Sequence, residues 1–138
     1  LKDTAMALHL EITTPSQRAL QVECDEVRLP GAEGSFGVLP GHTPLLSLLQ
    51  PGALYFRGPS GEQTYALGEG FAEVSNDKVR VLVEEAERAD QIDLAAAQKQ
   101  LEERKAQLLA LKPEDTTREI VQMAIDSAAA RVAVASKK

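Results

Sequence analysis

The sequence predicts an all-β sandwich, a flattened antiparallel barrel, followed by a C-terminal antiparallel hairpin of two helices. Three observations carry this. The composition changes near residue 88: all nine glycines lie at or before Gly70, all five aromatics at or before Phe71, and residues 90–138 hold eleven alanines and one proline. The hydrophobic period is two before that point and close to a helical repeat after it. The charge divides in the same way, with 7 basic and 13 acidic side chains in residues 1–89 against 8 and 8 in residues 90–138. Two units are expected, residues 1–88 and residues 89–138.

In the first unit Leu8, Leu10 and Ile12 alternate with His9, Glu11 and Thr13. Leu20, Val22 and Cys24 alternate with Gln21 and Glu23, and Val79, Val81 and Val83 flank Arg80 and Leu82. Alternation of this kind marks strands with one wet face. Turns are expected where Pro, Gly and Asn-Asp punctuate the runs: Thr14 with Pro15, Pro30 with Gly31, Pro40 with Gly41, Pro51 with Gly52, Gly58 with Pro59, and Asn76 with Asp77. Gly68 and Gly70 read as a bulge or a close backbone approach inside one strand, ALGEGFAEV.

In the second unit Leu94, Ala97, Leu101, Leu108 and Leu111 form one apolar stripe, and Val121, Ile125, Ala128, Val132 and Ala135 a second. Asp90 is the expected N-cap of the first helix, Pro113 its stop, and Thr116 with Glu119 the capping box of the second. Much of the seam is alanine, which buries little apolar area. Such a hairpin fits either a fixed helical cap or a mobile arm.

The chemistry-bearing residues do not assemble into an active site. His9 falls on the outward phase of a strand, and His42 has no second histidine or cysteine pair nearby, so no metal is expected. The glycines near Gly34 and Gly68 are not followed by a helix, no G-x-x-x-x-G-K-S/T occurs, and no serine sits in a nucleophile elbow. Cys24 is on an inward phase and has no partner for a disulfide, which fits a reducing compartment. Glu84, Glu85 and Glu87 cluster where the sheet meets the helices, and favour the approaching helix N-terminus. No enzyme activity and no cofactor are expected. A net charge of -6 and a pI near 5.0 oppose nonspecific nucleic-acid binding. No run is long enough to span a membrane and the N-terminus has no signal-type apolar core, with Met6 expected as the natural start after residues 1–5.

Taken in order, EGSFGVLPGHTPLLSLLQPG, then LGEGFAEVSNDKVRVLVEEAERADQID, then two helices ending in ARVAVASKK, the chain resembles the epsilon subunit of the bacterial F-type ATP synthase, whose mitochondrial counterpart is called delta. The resemblance covers residues 7–138 and is most specific in the EG-x-x-G-x-x-PGH-x-PLL block. It implies a non-catalytic stalk subunit that links gamma to the c-ring and so couples proton flow to ATP synthesis. Its place would be peripheral, on the cytoplasmic side of the bacterial inner membrane. The sandwich would bind gamma, and Glu33, Gly34, Ser35 and Phe36, with His42 close by, would rest on the c-ring. Many relatives carry an acidic residue where this chain has Ser35, so the resemblance does not carry a charged contact to that position. The hairpin would be a regulatory arm that extends into the catalytic head and inhibits hydrolysis. Arg118, Arg131, Lys137 and Lys138 would then meet the alpha and beta subunits, or else form a solvated helix face. Some relatives bind ATP through I/L-D-x-x-R-A; Ile92 and Asp93 match, but Ala96 replaces the arginine, which predicts weak or absent ATP binding. A free-standing interaction module and a small-ligand regulator using the crevice between the units are the alternatives.

Overall fold

The computed structural model describes residues 7–136. The expected start at Met6 and the two terminal lysines, Lys137 and Lys138, fall outside that range. Ten strands precede two helices: β1 Leu8–Thr13, β2 Arg18–Cys24, β3 Glu26–Gly31, β4 Gly34–Val38, β5 Leu45–Leu49, β6 Gly52–Gly58, β7 Gly61–Leu67, β8 Gly70–Ser75, β9 Lys78–Val83, β10 Ala86–Arg88, α1 Leu94–Ala110 and α2 Arg118–Ser136. The strands form one sheet in the order β10-β7-β6-β3-β5-β8-β9-β1-β2, with β4 on the free side of β3. It folds over on itself, and the inward residues of both halves, among them Leu8, Leu10, Ile12, Val27, Leu54, Val79 and Val81, form one core.

Pairing is antiparallel as expected, with one exception: β1 lies parallel to β9. Parallel neighbours need a long crossover, and the chain between these two strands supplies it. An antiparallel hairpin joins β8 to β9 through Asn76 and Asp77, both in the left-handed region at φ 53° and 61°. Short polar side chains tolerate that conformation better than most.

Two expectations about glycines are corrected. Pro30 and Gly31 are not a turn but the buried end of β3, and the chain reverses at residues 32–33 instead. Gly31 is needed there for contact, because a Cβ would stand 2.6 Å from the Gly34 carbonyl oxygen and 2.9 Å from the Phe36 ring. ALGEGFAEV is likewise two strands, with β7 ending at Leu67 and β8 starting at Gly70. Between them the chain crosses from one half of the sandwich to the other beside the β9-to-β10 crossing, and the two are stitched by Gly68 N–H to Glu85 (2.8 Å) and Glu84 N–H to Glu69 (3.0 Å). The close approach expected at Gly70 is real: a Cβ there would strike the Leu82 carbonyl oxygen and the Val83 Cα.

The helices also cap differently from expectation. Asp93, not Asp90, caps α1, its carboxylate accepting from Ala96 N–H at 3.1 Å. Residues 89–91 form a 3-10 turn, Asp90 accepts from Arg88 Nε at 2.6 Å, and Ile92 is extended and buried. Burying that isoleucine delays the helix by a few residues. At α2 the Asp115 carboxylate takes the N–H and hydroxyl of Thr117, at 2.8 and 2.6 Å, and Thr116 is exposed.

The hairpin lies folded against β6 and β7. The apolar cluster at this junction is Ala66, Ile92, Ala97, Val134 and Ala135. Three of the five are alanine, so each methyl contributes far less than a leucine side chain would. The two helices pack against each other, with Ala97 the buried residue of α1 and Val121, Ile125, Ala128, Ala130, Val134 and Ala135 buried on α2.

Candidate functional site

The wall formed by β5, β8 and β9 carries apolar side chains on its outer face as well as its inner one, beside the exposed Glu73, Lys78 and Arg80. Leu48 pairs with Phe71 and Phe71 with Leu82, so the three side chains stand in one row across three strands. Leu46 is two residues from Leu48 and on the same face. Leu46 is 69% exposed, Leu48 70%, and Phe71 and Leu82 each 41%. Scattered apolar residues on a surface are ordinary, but a contiguous row of this kind marks an interaction surface. Sequence reasoning missed these residues as a set. The signal lay in LLSLL, where leucine occupies both phases of the strand, and in the outward Leu82 between two valines.

The residues matched to the c-ring contact lie on the β3–β4 turn and the start of β4, and on the loop that follows β4. Glu33 is exposed in the reversal between β3 and β4, Gly34 follows at φ 134°, Ser35 is exposed, and Phe36 packs against the core. His42 is in the loop beyond the other end of β4, about 13 Å of strand away at ~3.3 Å per residue. The structure does not gather Glu33 and His42 into one cluster. The His42 loop is fastened from below: Gly41 N–H donates to the Asp77 carboxylate at 2.7 Å, His42 N–H to the Leu39 carbonyl at 3.1 Å, and His42 Nδ1 lies 2.7 Å from the Thr43 carbonyl. Gly41 sits at φ 87°, a conformation that disfavours any side chain there.

On the arm, both described arginines of the predicted basic set have internal partners. Arg118 Nη1 donates to the carbonyls of Leu108 and Leu111, at 3.4 and 3.2 Å, and so closes the C-terminus of α1. Arg131 Nε donates to Glu87 at 2.9 Å, and its Nη1 to Gln100 at 2.7 Å. Ile92 and Asp93, the matched half of the ATP motif, serve as seam residue and helix cap. Beside the contact of hairpin and sheet lies an open cleft of about 850 Å³ whose lining includes Arg88, Arg104 and Arg131 together with Glu69, Glu84, Glu85 and Glu87. The mixed charge gives no clear preference for an anion.

Titration adds one feature. Burial, reinforced by the negative charge of Asp25, pushes the Cys24 thiol from 9.0 up to about 11. A thiol held neutral is a poor nucleophile and a poor metal ligand. Among the described residues no cluster of three or more His, Cys, Asp or Glu is placed to hold a metal ion. No described helix is long and apolar enough to cross a membrane.

Residues 7–89, which span all ten strands, match the family described as the ATP synthase, Delta/Epsilon chain, beta-sandwich domain. The chain belongs to that family. The ATP synthase epsilon chain of Geotalea uraniireducens is 46% identical over 133 residues, covering 96% of both chains. That of Myxococcus xanthus is 41% identical over 94% of this chain and 95% of its own. These matches run through the hairpin as well as the sandwich. Among solved structures, a chain of the Euglena gracilis mitochondrial ATP synthase superposes with a TM-score of 0.79 at 26% identity, over 96% of this chain and 82% of that one. A chain from the central stalk and c-ring of the Tetrahymena thermophila enzyme shares the fold, with a TM-score of 0.57 at 16% identity over 94% of each chain. The resemblance drawn from the PGH block therefore holds, and the sandwich-plus-hairpin architecture is that of an epsilon chain.

Proposed function

We propose that this chain is the non-catalytic rotor subunit that links gamma to the c-ring, with its hairpin acting as a brake on ATP hydrolysis. The observation that carries the reading is the exposed row of Leu48, Phe71 and Leu82, with Leu46 beside it, on the outer face of the sandwich. Gamma is the partner assigned to that face. The Glu33 to Phe36 segment and the His42 loop are assigned to the c-ring, as two separate footholds. Gly41 and Asp77 stiffen the second of these, which suits a part that transmits torque. Attachment to the cytoplasmic side of the inner membrane then runs through these partners, without insertion of this chain.

The arm's folded form is compatible with a switch, because its junction is alanine-rich and two packings of similar energy are what a switch needs. Extension would bring Arg118, Arg131 and the two terminal lysines towards the alpha and beta subunits. ATP is not the expected ligand of the folded form, since Ala96 stands where the phosphate-pairing arginine of the motif would be. Reconstitution of the stalk complex with and without residues 89–138 tests the brake: faster hydrolysis without the hairpin is expected, and equal rates would leave it a structural cap. Failure of the chain to bind gamma at all would sink the rotor assignment itself.

A further inference from the structure

We propose that Arg131, Glu87 and Gln100 form an ionic latch that holds the hairpin on the sandwich, so that opening the latch is the regulated step of the arm. The regulatory half of this rests on the reading of the hairpin as a brake; the latch itself does not.

One guanidinium joins three elements. Glu87 belongs to β10, Gln100 to α1 and Arg131 to α2. The two bonds, 2.9 and 2.7 Å, leave from different nitrogens of one planar group, a geometry that a lysine ammonium at the end of its stem does not reproduce. The position is also telling. Glu87 pairs in register with Ala66, the sheet residue beneath the hairpin. Gln100 is one helical turn beyond Ala97, and Arg131 one turn before Val134 and Ala135. The latch therefore borders the apolar junction on its open side, where the cavity begins. Its side chains are partly covered, Arg131 23% and Glu87 36% exposed, so the pair is screened less than a surface pair yet remains open to salt.

The alanine-rich junction makes this contact matter. Beside a junction in which three of the five buried residues are alanine, a charge-assisted bond pair adds a directional contact to what keeps the arm down. The device is also exclusive in place, because a guanidinium tied to Glu87 and Gln100 is held at the sandwich and cannot reach an acidic segment of a distant subunit. Arg131 thus holds the arm closed and becomes available to a distant subunit only when the arm opens.

The test uses the full chain carrying Ala66→Cys, a thiol reporter beneath the hairpin, with buried Cys24 as the internal control for opening of the sandwich. Arg131→Gln and Glu87→Ala are each expected to raise the labelling rate at residue 66 roughly fivefold, with labelling of Cys24 unchanged. The double variant should label no faster than the faster single one, and Arg131→Lys should fall between. Salt at 1 M should accelerate labelling in the parent and not in Arg131→Gln. Equal labelling in parent and single variants overturns the latch, and so does a parallel rise at Cys24, which would make the arginine a prop of the whole fold. In the assembled ATP synthase, Glu87→Ala leaves Arg131 intact and should deepen inhibition of hydrolysis. Faster labelling with unchanged hydrolysis would keep the latch and refute the brake.

Discussion

The row across β5, β8 and β9 gives the sharpest quantitative test. Full burial of a leucine or phenylalanine side chain contributes roughly 1.5–3 kcal/mol. The part still available to a partner scales with present exposure, 70% for Leu48 and 41% for Phe71 and Leu82. Replacing all three by serine should therefore weaken binding to gamma by roughly 2 to 5 kcal/mol, roughly 30- to 3000-fold in Kd. Calorimetric titration of gamma into the parent and the triple variant measures this directly. Arg57→Gln, on the charged wall where Arg57 contacts Glu26 at 3.1 Å, is the control and should bind as the parent does. The variant must first be shown folded, by a cooperative urea transition. Affinity within threefold of the parent in a folded triple variant would refute the assignment of this face to gamma.

Further outcomes follow from single positions. Gly70→Ala places a methyl against the backbone of Leu82 and Val83, which cannot swing aside, and should cost on the order of 3 kcal/mol in urea unfolding; Gly37→Ala, whose Cβ would be 3.9 Å from its nearest neighbour, should be close to neutral. Because the Cys24 thiol is raised from 9.0 to about 11 by folding, the folded state holds its proton more tightly than the unfolded one. That contribution is fully present below pH 9, and stability should fall between pH 9 and 11 by on the order of 2 kcal/mol; urea midpoints across this range should lose the decline in Cys24→Ala. Asp93→Ala removes the α1 cap and should cost about 1 kcal/mol, seen as faster amide exchange in the first turn of α1 with the strands unaffected.

Local pattern was enough to reveal the architecture. Alternation in LHLEIT and KVRVLV, the loss of glycine after Gly70 and the alanine stripes after residue 90 each report a period, and a period is a property of neighbouring residues. The PGH block carried the family for the same reason, being contiguous. What local pattern misread were the places where a distant element sets the requirement. Gly31 looked like a turn residue and is a packing residue, because Phe36 and Gly34 come back against it. Asp90 looked like a cap, but the need to bury Ile92 against Ala66 passed that role to Asp93.

From the sequence alone came a strand-built body, a weakly glued helical pair and a set of chemistry-bearing residues that lack the spacing of a catalytic site. Only the tertiary structure decided that Leu48, Phe71 and Leu82 share one row, that Glu33 and His42 stand apart, and that Arg131 reaches both Glu87 and Gln100. Register across strands and the docking of a helix join residues tens of positions apart, and no periodicity within a segment encodes which distant segment it will meet.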